Sequence, residues 1–421
     1  MSYVDLKYKP SENDLVCLFR VEPSKGVSMK QAAEDVAAES SIGTWTEVST
    51  MSQKIRGMGA KVFEIKGSDV KIAYPSELFE PGNMPQILSS IAGNIFGMKA
   101  VKNLRLEDID WPEKLIGSFK GPAFGIKGIR KLLDVPKRPL IGTIIKPKIG
   151  LDEVSHAKVA YEAWAGGLDI VKDDENLTSQ SFNNFSKRIV ETLKLRDKAE
   201  KETDERKMYM PNITADVDTM LERANFVKEC GGEYVMVDIL TVGWSALQTL
   251  RKANEDLKLV LHAHRAGHAT FTRNKKHGIS MVVIGDVARL IGMDQLHIGT
   301  IVGKMQGGKE EVLSTEDEIE NKLIKEHGHC LAEDWLDIKP VFAVCSGGLY
   351  PGTIPYLTRV LGNDIIIQAG GGVHGHKNGT MAGAKATRQA VDAMMKGTSL
   401  PEYAKSHKEL SVALKQWGYV K

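Results

Sequence analysis

Hydrophobic and polar positions fall into two regions with different rhythms. From residue 140 onward, short apolar runs alternate with longer amphipathic stretches, eight times over. The runs are 140–146, 169–173, 208–213, 234–239, 257–264, 295–298, 340–345 and 364–369. Most are apolar on both faces, as in Leu259-Val260-Leu261 and Ile365-Ile366-Ile367. Parallel strands covered by helices read this way. Helical periodicity fills 152–165, 183–199, 216–229, 279–290, 315–327 and 353–361, and returns at 379–396 and 401–417. Eight strand–helix units over about 260 residues predict a TIM (β/α)8 barrel. An open doubly wound sheet fits less well, because no G-x-G-x-x-G follows the first strand.

The first part of the chain is different. Strands are predicted at 15–21, 44–50, 61–66, 70–74 and 104–109, with helices at 29–38 and 84–96. Ser28 can cap the first helix, which places Ala32, Ala33, Val36 and Ala37 on one face. Strands with two interspersed helices predict a smaller, ferredoxin-like α+β domain over 1–121. The barrel domain then covers 137–421, with a helical tail at its C-terminus. Residues 115–136, which hold Gly117, Gly121, Pro122, Gly125 and Gly128, read as the junction.

Composition narrows the class. The chain has 421 residues, 42% hydrophobic and 26% charged, with a net charge of +2. That excludes a disordered chain, and the charge balance argues against nucleic acid and anionic membrane surfaces as partners. No signal peptide and no run of ~18 apolar residues is visible. Cys17, Cys230, Cys330 and Cys345 are widely spaced and form no C-x-x-C pair. They read as small buried hydrophobes in a reducing cytoplasm. Glycine, at 40 residues, is in excess.

A barrel keeps its chemistry at the C-terminal ends of its strands. Those ends carry Lys146-Pro147-Lys148, Lys172-Asp173-Asp174-Glu175, Asn212, His264-Arg265, His297, Ser346-Gly347-Gly348 and Gly370-Gly371-Gly372. Alone, the lysine–carboxylate cluster would read as a solvated turn. Together, the strand ends describe one shared mouth. Adjacent carboxylates suit a hard cation such as Mg²⁺. Alternation puts Lys172 and Asp174 on one side of the strand. An ammonium cannot be a ligand, but a neutral amine that takes up carbon dioxide becomes a carbamate with oxygen donors. Lys146 and Lys148 suit proton transfer or oxyanion stabilisation. Arg265 offers a fork for phosphate, and the glycine tracts expose N–H groups to a second anion. Residues 300–308, glycine-bearing with one lysine, have the composition of a lid. These features predict a Mg²⁺-dependent barrel enzyme that performs enolate chemistry on a doubly phosphorylated, sugar-like anion.

The chain resembles the large subunit of ribulose-bisphosphate carboxylase/oxygenase (Rubisco), specifically the archaeal form III group. The stretches that carry the resemblance are AAESSIGTWT (37–46), GNIFGMKA (93–100), GTIIKPKIGL (142–151), GGLDIVKDDENLTSQ (166–180), HAHRAGHA (262–269), LHIGTIVGKM (296–305), CSGGLYPG (345–352) and QAGGGVHGH (368–376). It covers essentially the whole chain. The resemblance implies that activating carbon dioxide forms a carbamate on Lys172, which holds Mg²⁺ with Asp174 and Glu175. The carbamate would remove the C3 proton of ribulose 1,5-bisphosphate, and carbon dioxide or oxygen would add at C2. Lys146 would protonate the product carbanion, with Lys148 close by. His264 would contact substrate hydroxyls, and Arg265 and His297 one phosphate. Ser346, Gly347, Gly370 and Gly371 would bind substrate, the last two at the other phosphate. Lys304 would hold the new carboxylate. Glu39, Thr44, Trp45 and Asn94 would complete a neighbouring subunit's site. The implied unit is therefore a homodimer, or an assembly of dimers without a small subunit.

Some positions depart from the family's usual residues: Gln306 where glutamate is usual, and Ile144 and Ile298 where plant-type chains have threonine and serine. A Rubisco-like enolase or isomerase and a non-catalytic barrel are the competing readings. The retained Glu39, Asn94, Arg265, Lys304 and glycine tracts weigh against the first, and the intact charged strand ends against the second. AMP salvage and a methanogen pentose cycle are the implied sources of the bisphosphate.

Overall fold

A computed structural model describes residues 2–44, 46, 48–302 and 308–420. The chain forms two units. One comprises Met1–Gly121, Gly267–Ile291 and Asn321–Ile338; the other comprises Pro122–Ala266, Gly292–Glu320 and Lys339–Lys421.

In the first unit, four strands run in the order Val101–Asp110, Asp14–Pro23, Asp69–Pro75, Lys61–Lys66, with every pairing antiparallel. Helices Met29–Glu39 and Met84–Ile91 occupy the two crossovers. This is the ferredoxin-like arrangement. Ser28 accepts from Gln31 N at 3.2 Å and starts the first helix, which buries Ala32, Ala33, Val36 and Ala37. The second helix stops at Ile91, short of the expected 96. Ala92 and Gly93 leave helical geometry, and a Cβ on Gly93 would meet Ser89 O at 2.1 Å. No strand forms among the described residues of 44–50, which are turn and irregular backbone. A fifth strand, Gly278–Ile279, runs parallel to Val101–Asp110 at the sheet edge. It is followed by the fully buried helix Met281–Ile291.

The second unit is the barrel. Its strands are Leu140–Ile144, Ile170–Lys172, Met208–Met210, Tyr234–Asp238, Val260–His264, Gln295–Gly299, Phe342–Ser346 and Ile365–Gln368. They pair in parallel in chain order, and the eighth pairs with the first. Backbone bonds Ile213 N→Met236 O and Met236 N→Pro211 O, 3.0 and 2.8 Å, link the third and fourth strands and close the ring.

The glycine-rich junction contains more structure than expected. Gly125–Leu133 is an amphipathic helix. Its Ile126, Ile129 and Leu133 pack on Leu140, Ile170, Met208, Tyr234, Val260, Phe342 and Ile366 from the barrel strands. This i, i+3, i+7 spacing is a buried helix face. Trp244–Leu257 is a helix the periodicity did not reveal. The helix expected at 315–327 is Lys309–Glu320, and two short strands, Leu323–Ile324 and Glu333–Asp334, pair after it. The tail is two helices, Leu400–Tyr403 and Lys408–Trp417. Among the described residues, no helix is long and apolar enough to cross a membrane.

Candidate active site

The second strand ends at Lys172, in register with Ile144 on one side and Met210 on the other. Strand alternation then separates its neighbours. Asp173 turns into the protein and Asp174 into the mouth. Asp173 is fully buried. It accepts from Tyr209 OH at 2.6 Å, Asn212 N at 3.0 Å and Arg188 Nε at 3.2 Å, and lies 3.0 Å from His156 Nε2. Burial pushes its carboxyl up, but Arg188 and His156 overcome this and hold it well below the usual range. Asp173 is thus an anchor for the turn. Asn212 adds to it, donating from Nδ2 to Glu175 O at 3.1 Å.

Lys172 is also fully buried. Its amine donates to Asp173 O at 2.8 Å and to Met236 Sδ at 3.0 Å. Burial lowers its pKa, against the pull of Glu175, Asp174 and Asp238. Its two hydrogen-bond acceptors are a carbonyl and a thioether, partners that suit a neutral amine.

Asp174 Oδ2 receives Lys146 Nζ at 2.7 Å, and Asn176 Nδ2 donates to its Oδ1 at 2.9 Å. Glu175 lies between Lys148 Nζ (3.5 Å) and His264 Nε2 (3.7 Å). Lys148 is exposed. Asp174 and Glu175 thus each meet a lysine of the first loop, and both lie near enough to the Lys172 amine to act on it electrostatically. All are oxygen or convertible donors, the set a Mg²⁺ ion takes.

The histidines form the opposite wall. His264 meets His297, and His297 meets His262, edge to face, with ring centroids 4.9 and 4.8 Å apart. His297 Nδ1 lies 2.8 Å from Ser346 Oγ. Burial, then the neighbouring imidazoles, keeps His297 neutral well below its usual pKa. Arg265 is buried, and its Nη1 has no hydrogen-bond partner among the described residues. Burial lowers its pKa to about 10, so it remains charged at neutral pH. Gly299 ends the sixth strand at φ +98°, and a Cβ there would meet Arg265 Nη2 at 2.6 Å. Only glycine leaves the guanidinium its place.

Gly347 follows the seventh strand at φ +113°. Gly370 caps a short turn of helix, Gly371–His374, after the eighth. A Cβ on Gly370 would press on Lys146 Cε at 3.1 Å, and one on Gly372 would meet Leu349 O at 2.2 Å. Thr143 Oγ1 donates to Ala369 O at 2.7 Å and ties the first strand to this turn.

Glu39, Thr44 and Asn94 lie in the first unit and are exposed. Trp45, Lys304 and Gln306 lie outside the described residues. Sequence reasoning missed Asp238. It is the last residue of the fourth strand and accepts from His264 Nδ1 at 2.7 Å. The polar end of the run YVMVD was the available signal, obscured because the strand was extended to Ile239.

The family described as "Ribulose bisphosphate carboxylase large chain, catalytic domain" matches residues 125–417, and its N-terminal domain matches residues 2–115. The chain is 53% identical to the ribulose bisphosphate carboxylase of Methanosarcina barkeri, covering 99% of this chain and 98% of that one. It is 51% identical to that of Methanocaldococcus jannaschii, covering 99% and 100%. Among solved structures, the dimeric archaeal Rubisco of Hyperthermus butylicus superposes with a TM-score of 0.94 at 46% identity, covering 99% of each chain. The octameric Rubisco of Pyrococcus horikoshii gives 0.92 at 48%, covering 100% of this chain and 97% of that one. With both family domains matched end to end, this chain belongs to the ribulose bisphosphate carboxylase large-chain family.

Proposed function

We propose that this chain is a ribulose-bisphosphate carboxylase: carbon dioxide bonds to C2 of the enediolate of ribulose 1,5-bisphosphate, water adds at C3, and the C2–C3 bond breaks to give two molecules of 3-phosphoglycerate. One observation carries the reading. A buried lysine amine under the influence of two carboxylates shares a mouth with a buried guanidinium whose Nη1 has no partner among the described residues.

The amine lone pair of Lys172 bonds to the carbon of carbon dioxide and releases one proton, leaving a carbamate. Burial favours the neutral amine that this step needs. Lys172 in that form, with Asp174 and Glu175, would hold Mg²⁺. Bound there, the cation would stabilise the negative charge of the enediolate. The C3 proton of the substrate leaves toward Lys172. Lys146, held by Asp174, returns a proton at C2 of the product, and Lys148 stands at the solvent side. His264 orients substrate hydroxyls. Arg265 and His297 bind one phosphate; Gly370 and Gly371 bind the other through backbone N–H groups, and Ser346 and Gly347 also bind substrate. Lys304 holds the new carboxylate. Oxygen in place of carbon dioxide would give the oxygenase side reaction.

Glu39, Thr44, Trp45 and Asn94 would serve the site of a second copy, making a homodimer, or an assembly of dimers, the active form. No small subunit is required.

The test is incubation of purified protein with Mg²⁺, labelled bicarbonate and ribulose bisphosphate. Label in 3-phosphoglycerate is expected; its absence overturns the reading.

A further inference from the structure

The barrel histidines are held by the same ring atom, each from an adjacent strand. The register of the fifth and sixth strands sets His262 opposite Gln295, and His262 Nδ1 lies 2.8 Å from Gln295 Oε1. His297 Nδ1 faces Ser346 Oγ from the seventh strand. The fourth and fifth strands set Asp238 opposite His264, with the 2.7 Å contact to Nδ1. The Nε2 atoms are not used by these anchors: those of His262 and His297 are buried without a partner among the described residues, and that of His264 faces Glu175. The three anchors differ in kind. Ser346 can give or take a proton, and an amide can turn over. A carboxylate only accepts, so Asp238 dictates which nitrogen of His264 carries hydrogen.

Asp238 is itself secured. Its backbone N–H donates to Thr214 Oγ1 at 3.0 Å, and Thr214 Oγ1 lies 2.6 Å from Asn212 Oδ1. Asn212 is the residue that braces the Asp173–Glu175 turn. One chain of contacts thus links the orientation of His264 to the lysine–carboxylate turn.

We infer that Asp238 is a positioning residue that locks His264 as the Nδ1–H tautomer and presents the Nε2 lone pair to substrate. An Asp–His pair of this geometry sets the tautomer of the histidine in triad hydrolases, where replacing the carboxylate by an amide keeps the geometry but costs about 10⁴ in turnover. The kinetic half of the inference rests on the carboxylase reading; the tautomer half does not.

The experiment uses whole protein labelled with [¹⁵N]histidine, without substrate, and ring-nitrogen spectra that separate protonated from unprotonated nitrogens. His264→Gln identifies the His264 signals among the eleven histidines. A protonated Nδ1 and a bare Nε2 are expected in the unmutated chain, and loss of that fixed preference in Asp238→Asn, whose amide can face Nδ1 with either end. Carboxylation turnover of Asp238→Asn is expected to fall about 10²–10⁴-fold, with KM for the bisphosphate changed less than about threefold. A protonated Nε2 in the unmutated chain overturns the assignment, as does Asp238→Asn with near-normal turnover. If Asp238→Asn does not fold, the unmutated spectrum still decides. If the unmutated protein makes no phosphoglycerate, the carboxylase reading fails while the spectra still judge Asp238.

Discussion

Lys146 Nζ and Asp174 Oδ2 form a 2.7 Å ion pair at the barrel mouth, with Asp174 almost fully buried and Lys146 partly exposed. The two come from adjacent strands, so the contact follows from parallel pairing of the first and second. Such a pair holds the Lys146 amine in a fixed place at the mouth. Lys146→Arg retains the charge and the fold but cannot release a proton at neutral pH. Carboxylation turnover is expected to fall about 10²–10⁴-fold, with thermal stability within a few degrees of normal. Turnover preserved in Lys146→Arg would show that only the charge matters.

Arg265 argues in the opposite sense, as a residue that serves a ligand at the expense of the empty fold. Its Nη1 is buried without a partner among the described residues, and an unmatched buried charge destabilises. Arg265→Met removes that charge at similar volume. The ligand-free variant is expected to unfold at an equal or higher temperature, while KM for the bisphosphate rises at least tenfold. Calorimetric unfolding and steady-state kinetics check the two halves. A less stable variant with normal KM would mean that the guanidinium has a structural partner instead.

Much of this was legible in the sequence because barrel strands are apolar runs with polar ends. Lys172, His264 and Ser346 fall at strand ends, and the eight strands were found near their observed places. What was not legible depends on which neighbour a residue meets. Asp173 and Asp174 are adjacent acids, and only the fold makes one a buried anchor and the other a mouth residue. Gly125–Leu133 is a helix whose propensity is poor; its apolar stripe, packed on the barrel strands, overrides its glycines. Gly278–Ile279 is too short to carry a strand pattern, and it pairs only because an edge is available.

Asp173 gives a stability prediction. Its partners include Arg188, which is fully buried. Asp173→Asn keeps the shape but leaves that guanidinium without its counter-charge, which costs about 3–5 kcal/mol. Because Asn212 N and Tyr209 OH bond the same carboxylate, the turn bearing Asp174 and Glu175 should loosen too. Urea unfolding measures the first effect. Uptake of labelled carbon dioxide on Lys172, trapped chemically, measures the second, and should weaken. Unchanged unfolding would show that the network tolerates a neutral partner.

A pH dependence follows from Glu316 and Glu320, one turn apart on the helix Lys309–Glu320 that follows the predicted lid. Glu316 Oε1 is buried without a hydrogen-bond partner among the described residues. Burial, with Asp317 adding, raises its pKa from 4.5 to about 8. Burial and then Glu316 raise Glu320 as well, although Ala343 N donates to it at 3.2 Å. The unfolded chain releases the Glu316 proton near 4.5, whereas the folded chain keeps it up to about 8. Between those values the folded state binds more protons, so stability declines as pH rises. Glu316→Gln stays neutral throughout. Its melting temperature should match the unmutated chain near pH 5 and exceed it at pH 9 by roughly 1 °C for each kcal/mol relieved. Scans at several pH values between these limits check the shape of the difference. A difference that does not grow with pH would mean that Glu316 is already ionised in the folded chain.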